Sequence, residues 1–261
     1  MTVAVGNRVI VSHVNISIER GSFIGVLGPN GSGKTTLMRA ILGLIRPKSG
    51  QIRVLDAPVV AAGNRMIGYI PQTRNATGPI RLSGHDFIAS GVRGHGWGLP
   101  FLTADEQREI AWALDLVDAT GLSKRPISDM SGGERQRLHL AQALLGKPPI
   151  LLLDEPLINL DPHHQRIVVE LVQRIRQELG TTVLFSAHEL NPLLNIIDEV
   201  LYLGNGQVAL GRVDEVITAP VLSRLYGSPI EVLRVENRIF VMSGEYAVEG
   251  DAHRHEGGGH V

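Results

Sequence analysis

The sequence predicts an α/β fold with a mostly parallel central sheet, and three observations carry that expectation. A glycine-rich stretch, "GPNGSGKTT" at 28–36, stands between the apolar run "FIGVL" and the helical pattern "TTLMRAILGL". A second apolar run, "PILLLDEP", ends on two acids and leads into an amphipathic helix. Strand-type and helix-type segments alternate along most of the chain, the pattern of strands joined by crossover helices.

In chain order, "RVIVSHVNISI" at 8–18 alternates and is rich in β-branched residues, so it reads as strands with a bend. "ERGSFIGVLG" turns into a short buried strand, and the helix after the glycine loop stops before Pro47. "KSGQIRVLD" turns into another strand, and "RMIGYIPQ" is a strand closed by Pro71. Residues 73–101 carry many glycines and prolines. Residues 103–119 read as a helix capped by Thr103 with Glu106 three positions on, and 134–146 as a second helix. "HHQRIVVELVQRIRQELG" is an amphipathic helix ended by glycine, while "TTVLFSAHE" and "EVLYLGNGQVALG" return to strand. The middle block reads as a helical insertion, and the last residues, poor in apolar side chains and including His253, His255 and His260, as disordered.

Composition narrows the function classes. The chain has 261 residues, 43% of them hydrophobic, enough for one large domain with a subdomain. Its net charge of -1 argues against general nucleic-acid binding, and without cysteine neither disulfides nor thiolate metal sites can form. No stretch reads as a signal peptide or a bilayer span.

"GPNGSGKT" fits G-x-x-x-x-G-K-[ST] from Gly28 to Thr35. Glycines let successive backbone N–H groups turn towards phosphate oxygens, and the helix that follows adds its unpaired N-terminal donors. Gly28, Pro29, Asn30, Gly31, Ser32, Gly33, Lys34, Thr35 and Thr36 are therefore the expected phosphate cradle of a nucleotide, which alone leaves many NTPase families open. In it Lys34 reaches the β- and γ-phosphates and Thr35 ligates Mg²⁺. The Lys34 charge is expected to be unpaired without nucleotide. Asp154, at the end of the second apolar strand, is positioned to hold Mg²⁺, and Glu155 beside it to polarise an attacking water.

Further motifs resemble the ATP-binding-cassette (ABC) ATPases. "MSGGERQR" at 130–137 looks like their signature, and the resemblance runs from about Val9 to Tyr226 with five motifs in family order. Gln72 in "YIPQ" is similar to the glutamine at the join between core and helical subdomain, which implies catalytic and Mg²⁺-binding roles. Asp161 in "NLDP" resembles the loop that crosses to a partner cassette, and His188 in "SAHE" the switch histidine that contacts the γ-phosphate. The resemblance implies a P-loop NTPase cassette over 1–230, with a helical subdomain at about 73–148 inserted in a RecA-like core. A short extension follows at 231–250, then a His/Gly-rich tail at 251–261.

The resemblance also implies a head-to-tail dimer sandwiching two ATPs, each cradle facing Ser131, Gly132 and Gly133 of the other subunit. Glu134, where many members have glutamine, would bring a carboxylate nearer the nucleotide. In place of the aromatic residue that family members stack on adenine, the sequence has Val5, and most of the usual first strand is missing. His163 and His164 are expected to be surface residues or to make local contacts, with no metal role.

A single cassette resembles the ATPase subunit of a bacterial transporter, docked through the Gln72 cleft and residues 73–101 on integral membrane permease subunits. It would then sit on the cytoplasmic face of the inner membrane, in a system with an extracytoplasmic solute-binding protein. "VRGHGWGLPFLTADEQREIAWALDLVDATGL" and "VDEVITAPVLSRLYG" are similar to the zinc and manganese uptake group. "NATGPIRL" at 75–82 departs from that group's pattern. Iron-siderophore and vitamin B12 importers are the alternative, as is a soluble protein that uses ATP to clamp and release a partner.

Overall fold

The structure is a computed structural model that describes residues 1–60, 64, 66–72, 82–92 and 102–243. Most of the docking stretch 73–101, the departure at 75–81 and the histidine tail lie outside the described residues, as does 244–250 of the extension.

A hairpin, β1 (Val3–Val5) and β2 (Arg8–Val11), opens the chain. Strand β3 (Phe23–Leu27) leads through the glycine loop into helix α1 (Lys34–Ile41). A small hairpin follows, β4 (Arg53–Val54) with β5 (Ala57–Pro58), and then strand β6 (Ile67–Ile70). Helices α2 (Gly84–Val92), α3 (Ala104–Leu116) and α4 (Gly132–Ala143) come next, before β7 (Ile150–Leu153). Helix α5 (Pro162–Leu179) leads to β8 (Thr182–Ser186), and a hairpin of β9 (Glu199–Gly204) and β10 (Gln207–Gly211) completes the sheet. The chain continues through helices α6 (Val213–Val216) and α7 (Ala219–Tyr226) to a last hairpin, β11 (Ile230–Val235) and β12 (Arg238–Ser243).

Six strands form the central sheet in the order β10-β9-β3-β8-β7-β6; only the β9–β10 pair is antiparallel. Both faces are covered, so strands β3, β7 and β8 are buried along their whole length, as parallel strands under crossover helices must be. Alternation splits the core in two. Phe23, Leu151, Val183 and Phe185 pack with Leu171, Val172 and Ile175 of α5. Ile24, Val26, Leu152 and Leu184 face Leu37 and Met38 of α1 and Val11 of the first hairpin. Among the described residues no helix is long and apolar enough to cross a membrane.

Three elements differ from the sequence reading. The strand read over 8–18 ends at Val11: His13 takes a positive φ of 53°, and the backbone of Ser12 and Val14 bonds instead to Gly206 and Met1. A helix, α2, lies inside the stretch read only as glycine- and proline-rich. Beyond Gly227, β11 and β12 pair over their whole length through the turn at Glu236, φ 52°. The α3 cap is as read: Thr103 and Glu106 form a reciprocal capping box.

Candidate functional site

The carboxyl ends of four adjacent parallel strands deliver the site, as in open α/β sheets generally. Strand β3 releases the glycine loop at Gly28, β7 ends at Asp154 and Glu155, β8 runs into Ala187 and His188, and β6 into Gln72. The ladder continues into the site, with Asp154 N bonded to Ile70 O at 2.9 Å and Ala187 N to Val26 O at 3.1 Å. Sheet register therefore fixes the backbone at Asp154 and Ala187, from which Glu155 and His188 follow directly.

Glycine is required where the loop leaves the sheet. Gly28 has φ 141°, and a Cβ there would stand 2.2 Å from the carbonyl oxygen of Leu203. Gly33, at the N-cap of α1 with φ 105°, would drive a Cβ to 2.4 Å from Cγ2 of Ile10, so the first hairpin sits directly against the loop. Pro29, Asn30 and Gly31 form the outer turn of the loop, while Thr35 and Thr36 follow Lys34 in the first turn of α1.

Lys34 is 5% exposed, and its Nζ donates to the loop carbonyls of Gly28 (2.8 Å) and Pro29 (3.4 Å). It also lies 3.9 Å from Oε1 of Glu155, so this charge has protein partners, contrary to the expectation that it stands unpaired. Burial pushes its pKa below the ordinary lysine value, against the attraction of Glu155 and, less, of Asp154.

Glu155, 8% exposed, takes a positive φ of 54°, a backbone conformation uncommon outside glycine. The turn brings three partners to one carboxylate: His188 Nε2 at 2.9 Å and Lys34 Nζ on Oε1, and the Gln72 side-chain amide donating to Oε2. Asp154 is 1% exposed, with the Tyr69 hydroxyl at 3.5 Å from Oδ2. Burial raises its carboxyl above the ordinary range; the Thr35 hydroxyl opposes the rise and the Glu155 charge adds to it.

Among the described residues, Asp154 Oδ1, Ser32 Oγ and Ser186 Oγ are buried without a hydrogen bond of ordinary geometry, although the Thr35 and Ser186 hydroxyls lie near enough to the Asp154 carboxyl to draw its pKa down. Buried polar atoms are nearly always satisfied, so unpartnered oxygens grouped at the loop, β7 and β8 fit a ligand that the protein alone does not supply. Their chemistry suits a hard, oxygen-preferring cation with phosphate: Asp154 with the Thr35 hydroxyl and the Gln72 amide oxygen can hold Mg²⁺. Sequence reasoning passed over Tyr69 and Ser186; the second stands two positions before His188 in "FSAHE", where only the burial of β8 reveals it.

The other expected residues form a separate cluster. No hydrogen bond or ion pair among the described residues joins Ser131, Gly132, Gly133 or Asp161 to the Lys34–Glu155 group. Ser131 caps α4, its Oγ accepting from Glu134 N at 3.2 Å, and the Glu134 carboxylate accepts from Ser131 N at 2.8 Å. That carboxylate also pairs with Arg125 at 2.6 Å, so it is bound into the cap; the Ser131 N–H, above all, holds its pKa below the usual range. Asp161 caps α5, accepting from the backbone N–H groups of His163 and His164 at 3.0 Å each.

The sequence matches the family described as ABC transporter over residues 11–158. It is 34% identical over 230 residues to a zinc import ATP-binding protein, ZnuC, of Yersinia pestis, covering 87% of this chain and 83% of that protein. To the Fe(3+) ions import ATP-binding protein FbpC of Pasteurella multocida it is 36% identical, over 80% of this chain and 58% of that one. A solved metal-chelate type ABC transporter in an inward-facing conformation has a TM-score of 0.73, 29% identity and 87% coverage of both chains. A nucleotide-free ATP-binding cassette from an ABC transporter, 24% identical, has a TM-score of 0.74 over 85% of this chain and 92% of that one, a likeness of fold.

Proposed function

The chain belongs to the ABC transporter family as an ATP-binding, ATP-hydrolysing subunit, and from that premise we propose that it powers bacterial import of zinc or manganese. Subunits of this kind work with membrane permease subunits. In our reading two copies of this chain pair head to tail on the permease at the cytoplasmic face of the inner membrane, and a solute-binding protein delivers the metal from outside. The observation that carries the catalytic half is the convergence of Lys34, Gln72 and His188 on Glu155, beside the buried Asp154.

On nucleotide binding, Lys34 would exchange the carbonyls of Gly28 and Pro29 for β- and γ-phosphate oxygens, and the backbone N–H groups from Gly31 to Thr36 would turn to the same charge. Asp154, Thr35 and Gln72 would hold Mg²⁺, which when bound offsets the negative charge of the phosphate oxygens. Glu155 would take a proton from water as the water oxygen bonds to the γ-phosphorus and the bond to the ADP oxygen breaks, leaving ADP and inorganic phosphate. His188, 41% exposed, would swing from Glu155 to the γ-phosphate. That Ser131–Gly133 and Asp161 lie apart from this group within one chain supports the sandwich dimer, in which they would complete the other subunit's site.

Zinc or manganese is favoured over ferric iron because the zinc import relatives match along 83% of their length and the Fe(3+) import relative along 58%. Uptake of radioactive zinc and manganese by cells carrying this chain and its permease tests the proposal. Uptake should vanish with Glu155→Gln. Loss of ferric-chelate uptake with unchanged zinc and manganese uptake would replace the metal assignment, and a chain that never associates with a permease would favour a soluble clamp.

A further inference from the structure

The second cluster contains a link that its capping roles do not require. Asp161 Oδ1 takes the two backbone N–H groups of the α5 cap, while Oδ2 faces Nδ1 of His164 at 2.5 Å. The other edge of the same ring lies against α4: a Cβ on Gly133 would stand 2.7 Å from His164 Cδ2. One residue earlier, a Cβ on Gly132 would stand 3.3 Å from Cδ2 of Leu160, in the loop before Asp161. The ring remains 42% exposed, so it is not there to fill the core.

We infer that His164 is a positioning residue that fastens the Asp161 loop to the Ser131–Gly133 helix start within one subunit, so that both meet the neighbouring subunit's nucleotide as a single edge. The inference rests on the sandwich-dimer reading. Each segment is capped onto its own helix, but Ser131, Gly132 and Asp161 are exposed and their caps do not join one segment to the other. A hydrogen bond to an ionised carboxylate is about twice as strong as a neutral one, and with the ring seated on a glycine it fixes direction as well as distance. Misplacement of reacting groups by about 1 Å costs on the order of 10²-fold in rate, so a partial loosening should be visible in turnover.

The test compares His164→Ala, His164→Asn and Gly133→Ala in the full chain. His164→Ala should lower kcat about tenfold and leave KM for ATP within about twofold, because the Lys34 cradle is untouched. His164→Asn, whose amide can still donate to Asp161, should recover part of that loss, which a role in bulk stability would not produce. Gly133→Ala should do more harm with His164 present than with His164→Ala, since the added methyl then meets no ring. In a Glu155→Gln background ATP should drive dimerisation, and adding His164→Ala should weaken that dimer about tenfold. A Glu155→Gln chain that stays monomeric with ATP overturns the sandwich reading itself. Dimerisation and kcat unmoved by His164→Ala overturn only this inference. Should His164→Ala fail to fold by circular dichroism, His164→Asn and the Gly133→Ala pairing decide it on the same criteria.

Discussion

His188 places Nε2 2.9 Å from Oε1 of Glu155, the oxygen that Lys34 approaches at 3.9 Å. The carboxylate that we propose receives a proton from water is thus held by a histidine, a lysine and the Gln72 amide. In the proposed mechanism phosphate would draw Lys34 and His188 away and free Glu155 for water, so binding and activation of the base would be one rearrangement.

Glu155→Gln should bind MgATP and hydrolyse it about 10²–10⁴-fold more slowly, the usual cost of a lost general base. An amide can keep contacts with Lys34 and His188 but cannot accept the proton. Steady-state phosphate release checks this; turnover within twofold of the parent would remove Glu155 from the role.

Lys34→Ala should abolish measurable ATP binding by calorimetry while the far-ultraviolet circular dichroism stays that of the parent. The phosphate partner is lost. Within the fold, the change frees two loop carbonyls and leaves Glu155 with His188 and Gln72, so the buried carboxylate is not stranded. Unchanged ATP affinity would contradict the phosphate-loop reading.

Much of this site was legible because its chemistry needs fixed residue types at fixed spacing: Gly28 to Thr35, the paired Asp154 and Glu155, and His188 are all read from short stretches. Contacts set by tertiary approach were not. Helix α2 escaped because it is only nine residues long and has glycine at both ends, Gly84 first and Gly91 last but one, within a glycine- and proline-rich stretch. They are there for packing: a Cβ on Gly84 would stand 2.5 Å from Leu122 O, and one on Gly91 2.7 Å from Gln142 of α4. The β-branched run at 8–18 misled in the other direction, because strand propensity says nothing of whether a neighbouring strand is present to pair. His164 was set aside as a local contact, since one side of its link, Gly133, is distant in sequence and has no side chain to signal it.

Asp154→Asn should raise the melting temperature of the nucleotide-free chain at neutral pH. The Asp154 carboxyl is raised by burial above its ordinary 3.8. Below 3.8 it is protonated folded or unfolded and contributes nothing; as pH rises from there to the folded value the unfolded chain sheds its proton first, and the fold is penalised fully above that value. The stabilisation by Asp154→Asn should therefore be largest at pH 7.5 and shrink as the scan moves to acid. The weakened attraction for Lys34 offsets it only in part, because Glu155 is the larger of the two charges acting there. Added MgATP should reverse the order, stabilising the parent and not the variant. An equal or lower melting temperature at pH 7.5 would show that Asp154 is satisfied as it stands.

Val5 should make a poor adenine platform, and improving it should be simple. It ends β1, is 50% exposed and carries no ring, while its hairpin is pressed onto the glycine loop through Ile10 against Gly33. An aliphatic side chain buries base surface without stacking, so it separates adenine from guanine weakly. Stacking of a base on an aromatic residue is worth about 1–3 kcal/mol, and at this exposed rim the low end, about fivefold in affinity, is the fair expectation. Val5→Tyr should therefore lower the dissociation constant for ATP about fivefold with little change in kcat, since the ring acts far from the γ-phosphate. In the parent, ATP and GTP should bind within about tenfold of each other. Titration of both nucleotides into parent and variant decides the matter. A parent that prefers ATP by a hundredfold, or a variant with no gain, would mean that adenine is read elsewhere than at the first hairpin.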